Sequence, residues 1–174
     1  MTLGLEHGIE VVTRLLDQAG VVHQVVPHVP TFRARDEAAA GRADAHYTAK
    51  TLVLHDRDGW RVAVLPSNHR LDLDKARRLL GGTSHLRLAT EEEMEDAFPQ
   101  FEAGAMPPVG AQLPEVVDVR LLYRQAILCA GGDHRHAIRL DPRDLLTLAE
   151  PRVGDICEMT GPPRRKDFAN LPKI

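Results

Sequence analysis

The apolar residues of this chain follow two kinds of pattern, one typical of helices and one typical of strands, and these patterns predict its secondary structure. Near the N-terminus apolar residues recur at helical spacing and Gly20 follows them, which predicts a helix that ends at that glycine. The segments 21–26 and 49–54 are rich in β-branched and aliphatic residues and lack glycine and proline, as buried strands do. A turn over 56–59 leads from the second of these segments to a returning strand over 60–65, so the two form a hairpin.

Capping residues and turn residues mark the elements of the second half. Asp72 suits the N-cap of a helix over 73–80, and Thr90 with Glu93 has the capping-box spacing of a helix that runs to about 98. The other predicted elements are a helix over 35–42, strands over 85–88, 116–119, 125–130 and 137–140, and a final helix begun by Asp141 and Pro142. Because hairpins alternate with helical crossovers, the order predicts an α+β fold in which helices pack outside a curved mixed sheet.

Length and composition limit the classes of function. The 174 residues predict one domain over 1–150 and an irregular, locally basic tail over 151–174. A net charge of −3 provides no global field for nucleic acid, and an aromatic content of 4% argues against a platform built of many stacked rings. Two cysteines are too few for a disulfide framework, and no segment is apolar enough to span a membrane, so we expect a cytoplasmic protein without membrane contact.

Lys50 is the unusual residue of the strand over 49–54. Side chains of a strand alternate between its faces, so Lys50 shares one face with the apolar residues Leu52 and Leu54. A lysine on an apolar face either extends its ammonium group to water or meets an anionic or polar partner. Lys50 is therefore interpreted either as a snorkelling residue at a strand end or as a fixed cation in a pocket walled by the sheet.

A glycine-bounded loop over 104–110 is the second candidate feature. Gly104 and Gly110 permit positive φ and a close backbone approach to a ligand, while Pro107 and Pro108 stiffen the middle of the loop. Such a loop can point backbone N–H groups at an oxygen atom, as an oxyanion hole does. The alternative is a rigid turn between a helix and a strand.

Histidines near turn residues give two weaker candidate sites. Gly131 precedes His134 and His136, and this pair could contact a substrate hydroxyl. A metal is the weaker interpretation, since no third or fourth ligand stands at a recognisable spacing, and a solvated hairpin turn explains the same residues. His28 and Thr31 lie in a proline-flanked loop, where such polarity is often only structural. The chain has no serine nucleophile elbow, phosphate-binding loop or dinucleotide-binding glycine pattern.

Taken together, three segments resemble the YbaK/ProX family, which comprises free-standing relatives of the editing domain in bacterial prolyl-tRNA synthetase. In order, they are Ala-Lys-Thr-Leu-Val-Leu at 49–54, Gly-Ala-Met-Pro-Pro-Val-Gly at 104–110, and Gly-Gly at 131–132 ahead of a strand. The resemblance covers residues 5–149. It implies a barrel-like sheet and a hydrolase, without cofactor or metal, that acts in trans to remove a small mischarged amino acid from tRNA, with tRNA(Pro) as the expected carrier.

The resemblance also implies roles for individual residues. Lys50 matches the family's essential lysine, and Gly104 and Pro108 match the ends of its substrate-cradling loop. His134 or His136 lies where some alanine-editing relatives keep a selectivity histidine. The implied substrate-binding residues are His28, Thr31, Thr51, Gly104, Ala105, Met106, Pro107, Pro108, Gly110, Gly131, His134 and His136.

Two departures from the family leave the amino acid open between the cysteine and alanine classes. Thr51 follows the lysine, as in the cysteine-editing branch, whereas alanine-editing members tend to carry asparagine there. The loop interior, Ala105-Met106-Pro107, differs from the Gly-Cys-Ser of the cysteine editor. The role of Lys50 also stays open among general base, oxyanion stabiliser and anchor for the terminal nucleotide.

The same residues admit two other classes of function. One is a non-catalytic module that binds aminoacyl-tRNA or a synthetase, with Lys50 as an anchor. The weaker alternative is a metal-dependent hydrolase that uses His134, His136 and His28. Because the net charge is −3, capture of tRNA would depend on a partner synthetase or on the basic residues 164–166 of the tail.

Overall fold

A computed structural model of the protein describes residues 4–30 and 47–159. The predicted helix over 35–42, Thr31 and the end of the tail lie outside the described residues. In chain order the elements are α1 (Ile9–Gln18), β1 (His23–Pro27), β2 (Ala49–Asp56), β3 (Gly59–Pro66), α2 (Leu73–Leu80), β4 (Arg87–Leu88), α3 (Glu91–Ala97), β5 (Glu115–Asp118), α4 (Val119–Leu122), β6 (Ile127–Ala130), β7 (His136–Leu140), α5 (Asp144–Leu148) and β8 (Arg152–Gly154).

The strands form two sheets with mixed strand directions. The five-stranded sheet has the order β4-β2-β3-β5-β8, in which β2 and β3 are the predicted hairpin and β3, β5 and β8 run parallel. The three-stranded sheet has the order β1-β7-β6 and is antiparallel. A parallel bridge between Thr48 and Leu128 joins the start of β2 to β6. The α+β class and the mixed sheet are thus confirmed, but the described strands close no barrel, so the barrel-like shape is not confirmed.

The five-stranded sheet is buried on both faces, because alternate residues of each strand serve two different cores. One core contains Val53, Val62 and Val64 of the sheet together with residues of α1 and of the three-stranded sheet. The other contains Leu54, Ala63 and Leu65 and is covered by α2. We call these the α1 face and the α2 face of the sheet.

Local signals in the sequence placed most helix ends correctly. Gly20 adopts a positive φ of 67° after α1, the Asp72 carboxylate accepts a hydrogen bond from Lys75 N–H at 3.0 Å, and Thr90 and Glu93 form the predicted capping box. The longest described helix, α1, has 10 residues, and among the described residues no helix is both long and apolar enough to cross a bilayer.

Two local predictions need correction. The last helix begins at Asp144 rather than at Pro142, because the Asp141 carboxylate accepts a hydrogen bond from Arg143 N–H at 2.9 Å and holds these residues in a turn before the helix. The sequence prediction also missed α4, which starts directly after β5 because Asp118 accepts a hydrogen bond from Arg120 N–H at 2.9 Å.

The packed fold continues past the predicted boundary at residue 150. β8 pairs in parallel with β5, and Ile156 and Cys157 are fully buried in the core of the α2 face. The Ile156 N–H also donates to the Asp118 carboxylate at 2.9 Å. Residues 152–157 are therefore part of the domain, and the prediction of an irregular tail from 151 is wrong for this segment.

Candidate active site

Lys50 lies near the start of β2, with its Cα opposite that of Leu65 on β3. It shares the α2 face with Leu54, as the strand alternation predicts. The side chain is half-buried, and within the described residues it forms no hydrogen bond and no ion pair. Burial lowers the pKa of Lys50 from its ordinary value, because the charged amine loses hydration that nothing replaces.

Two groups lie close enough to Lys50 to influence its charge. One is Cys157, whose thiolate would favour the lysine cation, and the other is the cation of Arg70, which disfavours it. Burial raises the pKa of the Cys157 thiol to about 12, and its Sγ donates to the Asp118 carboxylate at 3.3 Å. Cys157 is therefore neutral at pH 7, and no anion among the described residues neutralises Lys50.

The 104–110 loop has the backbone form that its glycines predict. Gly104 and Gly110 adopt positive φ values of 82° and 99°. The N–H group of Ala105 is already used, because it donates to the Glu102 carbonyl at 3.0 Å. The N–H groups of Met106, Val109 and Gly110 form no hydrogen bond within the described part of the chain, although Met106 and Val109 are themselves buried.

The loop is fastened to the turn over 131–136. Gly132 N–H donates to the Ala105 carbonyl at 3.1 Å, and Glu102 N–H donates to the Gly132 carbonyl at 2.9 Å. The glycines here serve close packing: a Cβ on Gly131 would lie 2.8 Å from the His136 carbonyl oxygen and 2.9 Å from the Ile9 side chain. Packing alone accounts for the glycine at position 131.

His136 is held by Asp133, a residue that the sequence analysis did not select. The Nδ1 atom of His136 lies 2.8 Å and 3.0 Å from the two carboxylate oxygens of Asp133, and one of these oxygens also accepts from the Ile9 N–H at 3.2 Å. Burial alone would raise the pKa of Asp133, but the hydrogen bonds from Arg135 N–H and His136 outweigh it and the pKa is lowered. The histidine ring thus has a fixed orientation and an anionic partner.

The remaining predicted residues fall in different places. His28 N–H donates to the Arg135 carbonyl at 2.8 Å, so His28 lies beside the 131–136 turn, and its Nε2 is buried without a partner among the described residues. Thr51 follows Lys50 and therefore points to the opposite, α1 face, where its buried hydroxyl has no hydrogen-bond partner in the described chain. His134 N–H donates to the Glu102 carboxylate at 2.8 Å.

The Lys50 strand and the loop are connected through β6. Lys50 and Ala130 each lie two residues beyond the parallel bridge between Thr48 and Leu128. Gly131 and Gly132 follow Ala130 directly, and Gly132 is bonded to the loop at Ala105. The loop, the 131–136 turn and His28 thus lie together in the structure. Strand β6 connects this group to the segment of β2 that carries Lys50.

Two further cavities border these elements. A cleft of about 500 Å³ beside the 131–136 turn is acidic, with Glu91, Glu95 and Glu102 in its wall near His134. A smaller cavity of about 240 Å³ lies behind the 104–110 loop and contains the carboxyl of Glu115 among mostly apolar residues. Glu115 is 7% exposed, its Oε1 has no hydrogen-bond partner among the described residues, and burial raises its pKa to about 8.

Residues 4–30 and 47–159 contain one cluster of metal-ligating residue types, but its charges are already balanced. The ligand atoms of Asp118, Asp155 and Cys157 lie within 4.8 Å of one another. Arg120 contacts the two carboxylates at 3.0 Å and 2.8 Å, and Lys75 contacts Asp155 at 2.8 Å. These contacts make the cluster an ion-pair network that fastens residues 155–157 to α2 and α4.

The protein is an α+β domain that combines two features: a half-buried lysine with no anionic partner among the described residues, and a glycine-bounded loop with N–H groups that the same residues leave unbonded. The chain belongs to the aminoacyl-tRNA editing domain family, whose family model matches residues 28–148. The match confirms the resemblance seen in the sequence.

Individual relatives agree with this assignment. The chain is 31% identical over 123 residues to proline–tRNA ligase of Thermosipho africanus (strain TCF52B), covering 66% of this chain and 21% of that protein. It thus spans about a fifth of that relative's length. Among solved structures it resembles a proposed trans-editing enzyme for prolyl-tRNA synthetase, with 34% identity, a TM-score of 0.76 and coverage of 87% of this chain and 97% of the other. The hypothetical protein APE2540 is similar at 26% identity and a TM-score of 0.77, over 86% of this chain and 100% of the other.

Proposed function

We propose that this protein is an aminoacyl-tRNA deacylase that acts in trans and hydrolyses the ester of a small mischarged amino acid, of the cysteine or alanine class, on tRNA(Pro). Membership of the editing-domain family and the likeness to a proposed trans-editing enzyme for prolyl-tRNA synthetase support this proposal. The observation that carries it is Lys50, a half-buried cation without an anionic partner in the described part of the chain.

The reaction needs little chemical machinery. A synthetase pocket separates amino acids that differ by one methylene by only about 1–3 kcal/mol, so small intruders are attached and must be removed at a second site. The aminoacyl ester is already activated. Its hydrolysis requires orientation, stabilisation of the oxyanion, and a nucleophile that is either water or a hydroxyl of the substrate itself.

Lys50 acts in this proposal as a cation rather than as a base. With Arg70 nearby and Cys157 neutral, its surroundings favour a ligand that brings negative charge. A phosphate of the terminal nucleotide and the developing oxyanion both meet that requirement. The N–H groups of the 104–110 loop supply the uncharged part of the oxyanion site, and His28, His134 and His136 contact the bound end of the substrate. Thr51 takes no part in this arrangement, because its hydroxyl lies on the opposite face of β2.

A deacylation panel tests the proposal directly. Single-turnover release would be measured from tRNA(Pro) charged with alanine, cysteine, serine or proline. We expect alanine or cysteine to be released at least 10-fold faster than proline, because the pocket that follows a first size sieve admits the smaller residues. As a control, release of the same amino acid is measured from its own tRNA. The comparison separates recognition of the tRNA from recognition of the amino acid. Release of all four at the spontaneous rate would overturn the proposal.

A non-catalytic binding module would behave differently in the same experiment. It would bind the charged tRNA and slow its spontaneous hydrolysis instead of accelerating it. A metal-dependent hydrolase would lose its activity on addition of a chelator, whereas the proposed mechanism keeps it.

A further inference from the structure

The two tyrosines of the chain, Tyr47 and Tyr123, are both on the surface. Tyr47 is 48% exposed and Tyr123 is 85% exposed. Aromatic residues make up only 4% of the protein. By contrast, Phe98 and Phe101 are buried in the core. Single exposed apolar residues are common, so the exposure of the two rings points to a partner only together with their surroundings.

Arg124 contacts the ring of Tyr47 and is the chain neighbour of Tyr123. The guanidinium of Arg124 lies over the ring of Tyr47, 5.4 Å from its centroid, and Tyr123 is its neighbour in sequence. Arg124 forms no ion pair within residues 4–30 and 47–159, whereas Arg120, one turn earlier, binds two carboxylates. We call Tyr47, Tyr123 and Arg124 the tyrosine patch. It combines flat rings with an uncompensated cation.

The tyrosine patch stands next to the candidate active site. The Tyr47 carbonyl accepts a hydrogen bond from Leu128 N–H at 2.9 Å, at the point where β2 meets β6. Lys50 follows three residues later, which corresponds to about 10 Å along an extended chain. An RNA strand whose terminal nucleotide is bound at Lys50 can therefore reach the patch with the nucleotides that precede it.

From these observations we propose that the tyrosine patch binds the unpaired 3′ strand of tRNA by stacking of nucleobases on Tyr47 and Tyr123. Aromatic rings with arginine are the usual surface for single-stranded nucleic acid, because every base offers a flat face and every nucleotide a phosphate. The inference rests on the proposed function, because it adds a local tRNA contact to a protein whose net charge is −3.

The charge distribution excludes the neighbouring cleft from the same role. The wall of the 500 Å³ cleft beside the 131–136 turn carries Glu91, Glu95 and Glu102, which repel phosphates. The strand therefore approaches from the Tyr47 end of β6 and not from the cleft at the other end.

Binding of uncharged RNA tests the patch without hydrolysis. The probe is a labelled RNA hairpin with an unpaired 3′ CCA extension, compared with the same hairpin cut blunt, by fluorescence anisotropy. The wild-type protein should prefer the extended hairpin. Tyr47→Ala should lose about 10-fold in affinity for it, while Tyr47→Phe, which keeps the ring, should stay within twofold of wild type. Arg124→Lys keeps the charge but loses the flat guanidinium and should lie between them.

Leu88→Ala provides a matched control, because Leu88 is 49% exposed and lies on β4, an edge strand of the five-stranded sheet that is not part of the tyrosine patch. It should bind both hairpins as the wild type does. Equal binding of the two hairpins by the wild type, or unchanged binding by Tyr47→Ala, would overturn the inference.

Deacylation by the same variants separates this inference from the proposed function. If the wild type deacylates no tRNA but still prefers the extension in a Tyr47-dependent way, the proposed function fails and the patch stands. If Tyr47→Ala deacylates tRNA with unchanged KM, the patch fails and the proposed function stands. A rise in KM on tRNA, with an unchanged rate on an aminoacyl-adenosine ester, supports both.

Discussion

Lys50 and Glu115 belong to the same five-stranded sheet, and neither has a partner of opposite charge among the described residues. Burial shifts both towards the neutral form: it lowers the pKa of the amine and raises that of the carboxyl to about 8. Their surroundings differ. Lys50 is half-buried near a strand start, whereas Glu115 is almost fully enclosed behind the 104–110 loop.

The difference shows that an unpaired ionisable group is not by itself a site. Glu115 escapes the cost of a buried charge by holding its proton, and its cavity wall is mostly apolar. Lys50 is partly exposed to solvent, and a second cation, Arg70, lies nearby. An anion that binds here would therefore stabilise the charged form of Lys50. We therefore assign chemistry to Lys50 and treat Glu115 as a stability cost inside the fold.

Replacement of Lys50 should have the largest effect. We expect Lys50→Ala to lower the deacylation rate by about 10³-fold or more, by analogy with the loss of an electrostatic stabiliser from an enclosed site. Lys50→Arg should keep measurable activity, because a cation is needed and arginine supplies one, whereas a general base could not be replaced by arginine. Single-turnover rates on mischarged tRNA give the comparison.

The control for this prediction is stability. The unfolding midpoint of Lys50→Met should not fall below that of wild type, since the variant removes an uncompensated charge from an apolar face. Lys75→Met should instead lower the midpoint and spare the rate, because Lys75 is ion-paired with Asp155. Wild-type activity in Lys50→Ala would refute the catalytic role.

Glu115→Gln should change the pH dependence of stability. Below pH 4.5 the carboxyl is protonated in the folded and unfolded chain alike. Between 4.5 and about 8 only the unfolded chain ionises, so the wild-type free energy of unfolding falls by about 1.4 kcal/mol for each pH unit. The glutamine variant lacks this slope, and its advantage over wild type should grow by about 4 kcal/mol from pH 5 to pH 8.

Urea unfolding at several pH values measures this difference. Glu92→Gln, a substitution at an exposed position of α3, is the control and should run parallel to the wild type. Parallel curves for Glu115→Gln as well would mean that Glu115 ionises normally in the folded protein, and the contrast with Lys50 would disappear.

The sequence alone predicted what depends on local spacing. The period of two along 49–54 placed Lys50, Leu52 and Leu54 on one face, and the caps at Asp72 and Thr90 fixed two helices. The same alternation would have separated Thr51 from Lys50, but the family resemblance grouped them.

Contacts between distant segments were beyond local reasoning. β8 lies in a stretch whose glycine and prolines read as irregular, and it becomes a strand only because β5 offers it a free parallel edge. Arg70 and Cys157 reach Lys50 through the bridge between Leu71 and Cys157, which joins residues 86 positions apart. The role of Asp133 includes a hydrogen bond from the N-terminus of α1, which local sequence patterns do not predict.

The junction between the loop and the turn provides the prediction with the smallest effect. Gly132 and Gly81 both have positive φ, 95° and 75°, so alanine is strained at either position. At Gly132 a Cβ would also lie 2.9 Å from the Gly8 backbone, whereas at Gly81 nothing lies within 4 Å. Gly81→Ala should therefore cost about 1 kcal/mol of unfolding free energy and Gly132→Ala about 2–3 kcal/mol.

The two variants also separate backbone strain from disturbance of the site. Gly132 donates to Ala105 at 3.1 Å, so a shift at Gly132 moves the loop whose N–H groups we assign to the oxyanion. At a temperature where both variants are folded, Gly132→Ala should lower deacylation several-fold and Gly81→Ala should leave it unchanged. Equal rates in the two would place the oxyanion site away from this junction and would leave Lys50 as the catalytic group without the loop.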